Sequence, residues 1–259
     1  MRHMKRLILL SLGLIISSVA FGWGQKGHDV TAAIAERHLT RKAAKAVSRV
    51  LDGKSPVYWS NWLDNASHTP EYVSTKTWHY LNVEEGQTFD EARRIPEGDV
   101  LKAVTEIAAK LKQGGLTPEE EAVNLRMLIH LVGDMHCPMH LGRMSDLGGN
   151  RREVRFFGRR TNLHSVWDMD LPEAGHKWSY SEWAKQLDRL PKAEQAATEA
   201  GEPEDWARET LAVCREVYEA TPQEAEISYD YVARFTPVVE RQLLRAGLRL
   251  ARLLNGIYR

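Results

Sequence analysis

Residues 117–140 read TPEEEAVNLRMLIHLVGDMHCPMH and contain the signals for a complete helix. Thr117 is suited to the N-cap and Pro118 to the first helical position, and acidic residues follow in the first turn. From Ala122 onward, apolar residues recur at spacings of three and four, which is typical of a helix with one buried face. Pro138 ends or bends this helix because proline lacks the backbone N–H that would continue it.

The same apolar spacing recurs along the rest of the chain, whereas strand patterns are rare. One β-hairpin is predicted from Arg151 to Phe157 and onward from Thr161, with residues 158–160 as its turn. No linker rich in Pro, Gly or Ser divides residues 23–259. We therefore predict an all-α fold, a single mainly helical domain with one small β-hairpin. The other predicted helices cover residues 30–39, 43–51, 100–111, 206–218 and 229–254, with Gly53, Gly114 and Gly115 as stops.

The first 22 residues have the pattern of a secretory signal peptide. A basic start is followed by an apolar run over residues 7–19 and by small residues around Ala20 and Gly22. The apolar run is shorter than the roughly 20 residues that a membrane-spanning helix needs. We expect cleavage after Gly22, export to the periplasm or secretion, and no stable membrane association of residues 23–259; an uncleaved anchor is the alternative.

Charge and cysteine content limit the classes of function. Residues 1–22 contain three basic and no acidic residues, so the remaining chain has 32 Lys and Arg against 35 Asp and Glu. A protein that binds polyanions by bulk charge would have a basic excess, so any nucleic-acid chemistry must depend on a local site. Cys137 and Cys214 cannot form a cysteine-based metal site alone, and both a disulfide and two free buried thiols remain open.

Histidines and carboxylates cluster at spacings that suit a metal. His130 and Asp134 lie four residues apart on the long helix, and His164 and Asp168 repeat that spacing in NLHSVWD. A single pair of this kind is more often an ordinary hydrogen bond. When two such pairs occur with further histidines and carboxylates, the result is an imidazole and carboxylate cluster without thiolates, which is typical of a catalytic zinc centre. The further candidates are His28, Asp64, His79 and His140.

The motifs occur in an order that resembles a known family. They are WGxxGH at residues 23–28, WxD at 62–64, WHYxN at 78–82, HxxGDMHxPxH at 130–140, GGN at 148–150 and NLHxxWD at 162–168. This order resembles the zinc-dependent single-strand nucleases and 3′-nucleotidases of the mung-bean nuclease type. Bacterial zinc phospholipase C is expected to share their fold and trinuclear cluster.

The resemblance implies three Zn²⁺ ions. Asp64, His79 and His130 would hold the first, and Asp134 would bridge it to the second. His28 and the free amine and carbonyl of Trp23 would complete the second site. The third ion would be held by His140, His164 and Asp168.

The resemblance also implies the reaction and the groups that perform it. Asp64, Asp134 and Asn150 would be the catalytic residues, with Asn150 donating a hydrogen bond in the transition state. Tyr80 would stack on a base, and Asn82 would hydrogen-bond it. The substrates would be single-stranded DNA, RNA and 3′-nucleotides, the products 5′-nucleotides, and the protein a monomer.

Two positions depart from the family pattern. Asn82 replaces an aspartate that contacts the base, and Ser67 or His68 stands where an arginine often assists with phosphate. The alternatives to a nuclease are a phospholipase C, in which the first histidine normally lies farther from the N-terminal tryptophan, and a non-catalytic zinc-binding protein. His136 is left out of the cluster because it lies on another face of the helix, and His38 and His176 are read as ordinary surface or packing residues.

Overall fold

Helices dominate residues 23–259, the part of the chain that this computed structural model describes. The mainly helical fold is therefore confirmed, while the predicted signal peptide lies outside the described residues. None of the described helices is long and apolar enough to cross a membrane. The helices are α1 Gln25–Arg37, α2 Arg41–Val50, α3 Pro56–Trp59, α4 Trp62–Ala66, α5 Val100–Gln113, α6 Pro118–Met135, α7 Leu163–Ser165, α8 Leu171–Gly175, α9 Tyr180–Leu187, α10 Lys192–Glu199, α11 Pro203–Ala220 and α12 Tyr229–Ile257. Turns of 3₁₀ helix occupy Val73–His79, Phe89–Glu91 and Pro138–Leu141, and a π-helical turn, Val166–Asp170, joins α7 to α8.

The central helix α6 begins where its capping residues predict. The Thr117 hydroxyl accepts a hydrogen bond from the Glu120 amide at 3.3 Å, and the Glu120 carboxylate accepts one from the Thr117 amide at 2.9 Å. This reciprocal capping box satisfies two backbone donors that would otherwise lack partners. The helix ends at Met135, and Pro138 starts a separate 3₁₀ turn, so the predicted break is confirmed.

The β structure is larger than the predicted hairpin. Strands β1 (Glu153–Phe156) and β2 (Arg159–Asn162) pair antiparallel, as predicted, but their turn is Phe157–Gly158 rather than residues 158–160. A third strand, β3 (Ala225–Ile227), pairs in parallel with β1 and gives the order β2-β1-β3. The predicted hairpin is confirmed, and β3 gave no sequence signal because it has only three residues and its partner is distant in sequence.

Helix α1 packs into two apolar clusters at once. Ala32 and Ala35 belong to a cluster with α5 and α6, while Val30 and Ile34 belong to a second cluster that includes Trp23. Helix α12 approaches α1 closely at Gly247, where an added Cβ would lie 2.5 Å from the Cβ of Ile34. This packing fixes α1 against α6 and so positions the polar residues that both helices carry.

Candidate metal centre

Asp134 is the shared member of a buried histidine and carboxylate cluster. Its Oδ1 lies 3.3 Å from Nε2 of His28 on α1. Its Oδ2 lies 3.1 Å from Nε2 of His130 and 2.9 Å from Nδ1 of His79. Asp134 is completely buried, so both oxygens face protein groups rather than solvent. Oδ1 also lies 3.7 Å from Nδ1 of His140, so each oxygen of this carboxylate faces two histidines.

Asp64 completes the side of the cluster formed by His79 and His130. Its Oδ1 lies 3.3 Å from Nε2 of His130 and 3.9 Å from Nδ1 of His79. Within the described residues, His28, His130 and Asp134 form one group whose potential ligand atoms all lie within 4.8 Å of one another, and Asp64, His79 and His130 form another. The two groups overlap at His130, so the candidate sites are closely spaced, and Asp134 is the carboxylate that faces histidines of both groups.

A second region brings together His140, His164 and Asp168. The His140 and His164 rings lie 5.2 Å apart, and His164 Nε2 lies 2.9 Å from Oδ2 of Asp168. Cys137, which the sequence analysis left out of the site, donates its thiol to Oδ1 of Asp168 at 3.3 Å. Burial, followed by the Asp168 charge, raises the pKa of the Cys137 thiol well above its usual range. The neutral thiol is therefore a hydrogen-bond donor to Asp168.

Backbone carbonyls fix the orientation of three of these histidines. Nδ1 of His130 donates to the Ser60 carbonyl at 2.7 Å, and Nδ1 of His164 donates to the Gly148 carbonyl at 2.7 Å. Nδ1 of His140 donates to the carbonyl of His79. A carbonyl only accepts hydrogen bonds, so each Nδ1 carries the proton in the neutral ring and each Nε2 presents a lone pair.

Without a metal, the cluster holds strongly perturbed charges. Burial lowers the pKa of His130, but the charges of Asp134 and Asp64 outweigh it and hold that pKa well above the usual range. Burial raises the pKa of Asp134, but the charges of His130 and His140 outweigh it and hold that pKa well below the usual range. Burial, with the nearby His130, lowers the pKa of His28. In a site that excludes water, the charged form of His130 and the charged form of Asp134 thus stabilise each other.

Buried polar atoms without partners test whether a metal fits here. Within residues 23–259, Nε2 of His79, Nε2 of His140 and both ring nitrogens of His28 form no hydrogen bond. Such atoms are costly to bury unless another group satisfies them. Imidazole nitrogens and carboxylate oxygens are preferred ligands of zinc and related ions. The donor set and its unpaired atoms therefore fit bound metal ions.

Two glycines make room for the first residues of the cluster. A Cβ on Gly133 of α6 would lie 2.8 Å from Nδ1 of His28, so glycine leaves space for that ring. A Cβ on Gly27 would lie 2.7 Å from the Cβ of Trp23, which is fully buried. The Gly24 amide donates to the Asp168 carbonyl at 2.8 Å. Trp23 is thereby positioned near the cluster, and its role as a ligand stays a prediction.

A cavity of about 240 Å³ adjoins the clustered histidines. Tyr80, Asn82 and Asn150, the three predicted substrate-binding residues, all line it. Asn82 Nδ2 lies 3.6 Å from the Met144 sulfur, and Asn150 Nδ2 donates to the Leu147 carbonyl at 2.9 Å. The structure thus places aromatic and amide groups beside the candidate metal ligands. The remaining lining residues are Lys76, His79, Met139, His140, Met144, Leu147, Gly148 and His164.

Other predicted and overlooked residues lie around the centre. Ser67 is buried and donates to the Asp64 carbonyl at 3.1 Å, so its hydroxyl supports the backbone of α4. His136, which was left out of the predicted cluster, donates from Nδ1 to the Val132 carbonyl and contacts Arg249 at 3.1 Å. Burial, with the charge of Arg249, lowers the pKa of His136 to about 3. Both cysteines are free and buried.

His38 and His176, which were predicted to be surface or packing residues, each pair with a carboxylate that is distant in sequence. His38 Nε2 lies 2.6 Å from Asp188, and His176 Nε2 lies 2.8 Å from Glu240. The acidic partners come from elsewhere in the chain, so sequence spacing gave no signal for them. Neither histidine belongs to a described group with metal-site geometry.

The family is settled by comparison with known proteins. The family model described as S1/P1 Nuclease matches residues 23–259. The chain belongs to the S1/P1 nuclease family. It is similar to Endonuclease 2 of Arabidopsis thaliana, with 27% identity over 99% of this chain and 97% of that protein. It is also similar to Nuclease S1 of Aspergillus oryzae, with 26% identity over 98% of both chains, and to Nuclease P1 of Penicillium citrinum, with 28% identity over 91% of this chain and 98% of that protein.

Membership of the S1/P1 nuclease family gives the cluster and cavity a chemical context. The protein is an endonuclease, a hydrolase of phosphodiester bonds in nucleic acids, and its family is metal-dependent. The resemblance inferred from the ordered motifs is confirmed. The buried histidine and carboxylate groups of this S1/P1 nuclease could bind metal ions.

Proposed function

We propose that this S1/P1 nuclease cleaves single-stranded DNA and RNA to 5′-nucleotides and removes phosphate from 3′-nucleotides, with three bound Zn²⁺ ions. One observation carries the proposal: a fully buried carboxylate, Asp134, is shared between opposing histidines beside a cavity lined by Tyr80 and Asn150. A bridging carboxylate suits paired metals, and an open cavity suits catalysis rather than structural binding.

The proposed ligands of the three ions are those that the ordered motifs imply, and the closeness of the histidines and carboxylates supports them. Asp64, His79, His130 and the bridging Asp134 would hold the first ion, while Asp134, His28 and Trp23 would hold the second. His140, His164 and Asp168 would hold the third. When bound, the ions supply Lewis acidity and lower the pKa of water toward roughly 7. The Nδ1 hydrogen bonds of His130, His140 and His164 keep their Nε2 atoms available.

The cavity residues bind and orient the substrate. The half-buried Tyr80 would stack on a base, a contact worth roughly 1–3 kcal/mol with little sequence preference. Because a duplex hides the faces of its bases, this contact favours single strands. Asn82 would hydrogen-bond the base edge through its amide, which both donates and accepts. One Asn150 N–H is used by Leu147, and the other would donate to a phosphate oxygen that gains charge in the transition state.

The proposal extends to processing and assembly. Residues 1–22 would be removed as a signal peptide, and residues 23–259 would act as one monomeric catalytic domain in the periplasm or outside the cell. Cleavage after Gly22 would create the amine that Trp23 contributes to the second ion. The precursor would lack this ligand, so export would accompany activation.

The decisive experiment compares substrates and one variant. Purified residues 23–259 with zinc are incubated with single-stranded DNA, a duplex of the same sequence, RNA, a 3′-mononucleotide and phosphatidylcholine. We expect 5′-nucleotides from the single strands, little product from the duplex, phosphate from the mononucleotide, and loss of all activity with chelator. Asp134→Asn preserves the side-chain volume and should lower kcat/KM by at least about 10³-fold, because it removes the bridging charge.

The same assay separates the alternative functions. Hydrolysis of lipid alone would identify a phospholipase C, and zinc binding without any hydrolysis would identify a non-catalytic zinc protein. Ligation by the N-terminus has its own test: one extra residue before Trp23 should reduce zinc stoichiometry and activity together. Full activity and full zinc content in that extended protein would refute N-terminal ligation.

A further inference from the structure

Lys76 lies on the same face of a 3₁₀ turn as His79. The turn Val73–His79 has three residues per turn, so side chains three apart eclipse one another. Lys76 and His79 are separated by this interval, and both line the 240 Å³ cavity. The local helix type thus places a lysine and a buried histidine of the cluster along the same cavity.

Lys76 is a cation without an acidic partner. Among the described residues that line the cavity, it is the only one with a permanent positive charge. Lys76 forms no ion pair with any residue in 23–259. By contrast, Arg143, which precedes the lining residue Met144, is paired with Glu85 at 2.9 Å. Lys76 is exposed, and no carboxylate lines the cavity beside it. Its charge is therefore available to an anion that enters there.

The Ser67 side chain does not supply a competing charge. The Ser67 hydroxyl is buried and engaged with the Asp64 carbonyl. We infer that Lys76 binds the phosphate that the cluster cleaves, while the attached nucleoside occupies the cavity beside Tyr80. This inference rests on the proposed function for the identity of the substrate. An ammonium on a flexible stem suits a phosphate whose position shifts during the reaction, since it acts as a point charge.

The test measures phosphate binding apart from catalysis. Inorganic phosphate is titrated calorimetrically into zinc-loaded protein at about 50 mM and about 300 mM NaCl, a range over which screening increases strongly. The proteins are wild type, Lys76→Gln, Lys76→Arg and the control Lys45→Gln, which removes an exposed lysine of α2 outside the cavity. Zinc content, kcat and KM for a 3′-mononucleotide are measured on the same samples.

We expect Lys76→Gln to weaken phosphate binding about fivefold to tenfold at low salt, with a smaller difference at high salt. Zinc content should stay unchanged, KM should rise more than kcat falls, and Lys76→Arg should retain most of the affinity. Lys45→Gln should behave as wild type. Equal phosphate affinity in Lys76→Gln and wild type, or no phosphate binding by wild type, would overturn the inference. Phosphate binding that depends on Lys76 in a protein without hydrolytic activity would instead refute the proposed function alone.

Discussion

Replacing Gly133 by alanine tests whether the close approach of α6 to His28 serves the metal centre. Glycine in a helix interior is ordinarily unfavourable, and alanine there stabilises by about 1 kcal/mol. At Gly133 the new Cβ would lie 2.8 Å from Nδ1 and 3.1 Å from Cε1 of His28. The ring cannot easily retreat, because it is fully buried and stacked on His130 with a centroid distance of 3.9 Å.

The expected sign follows from these two opposing effects. Overpacking of this kind lowers the free energy of unfolding by about 1–3 kcal/mol, which cancels or exceeds the stabilisation from the higher helix propensity of alanine. The metal-free variant should therefore be destabilised by roughly 0–2 kcal/mol instead of stabilised by about 1. Displacement of His28 should also lower the affinity for the ion that it is proposed to hold by about 10-fold to 100-fold, because disturbing the orientation of a ligand usually has an effect of this size.

Gly256 provides the matched control. It also lies in a helix, α12, but nothing lies within 4 Å of its added Cβ. Gly256→Ala should gain up to about 1 kcal/mol and leave metal content unchanged. Urea unfolding with chelator gives the free energies, and elemental analysis after dialysis at limiting zinc gives the stoichiometry. If Gly133→Ala keeps a full metal complement and gains stability as Gly256→Ala does, the argument from the His28 contact is refuted.

Two further predictions concern protonation and the third metal region. In metal-free protein, the pKa of His130 is higher in the folded state than its unfolded value of about 6.5. The stability that this shift contributes is therefore present below about pH 6.5 and lost as the pH rises through the folded pKa. The pKa of Asp134 is lowered on folding, so the stability that it contributes is lost only in acid. Zinc needs the neutral imidazole, so the rise in Tm on adding zinc should grow between about pH 5.5 and 8, and an increment independent of pH would contradict this. Cys137→Ser keeps a donor beside Asp168, so zinc content should persist and activity should change less than about threefold. Loss of one zinc in this variant would show that the thiol is a ligand instead.

The sequence predicted those features that depend on local spacing. The long helix was marked by the capping residue Thr117 and by Pro138, because both act within a few residues of their own position. His130 and Asp134 were recognisable as a pair because an interval of four places them on one helical face. The sheet shows the opposite case: β3 is too short to have a pattern, and its pairing with β1 is a long-range contact.

The unpredicted parts of the site depend on contacts between distant segments. Gly133 looks unfavourable in its own helix, and its use becomes clear only when His28 approaches from α1. The contact of Cys137 with Asp168 was not predicted because the two residues are 31 positions apart in sequence. Lys76 was overlooked because the sequence does not specify locally that residues 73–79 form a 3₁₀ helix, in which side chains three apart eclipse one another.

The packing of Trp23 explains how a chain terminus can serve as a metal ligand. A free terminus would lose about 1–2 kcal/mol per residue in conformational entropy on being fixed. Here the buried indole and the hydrogen bond from the Gly24 amide to Asp168 already hold this segment, so the proposed coordination need not order it. The α-amino group has an ordinary pKa of about 7.7–8 and binds metal only when neutral. The proposed amine beside His28 would therefore be a ligand whose entropic cost the fold has already met, and the proposed cleavage after Gly22 would supply the missing atom without rearranging the rest of the site.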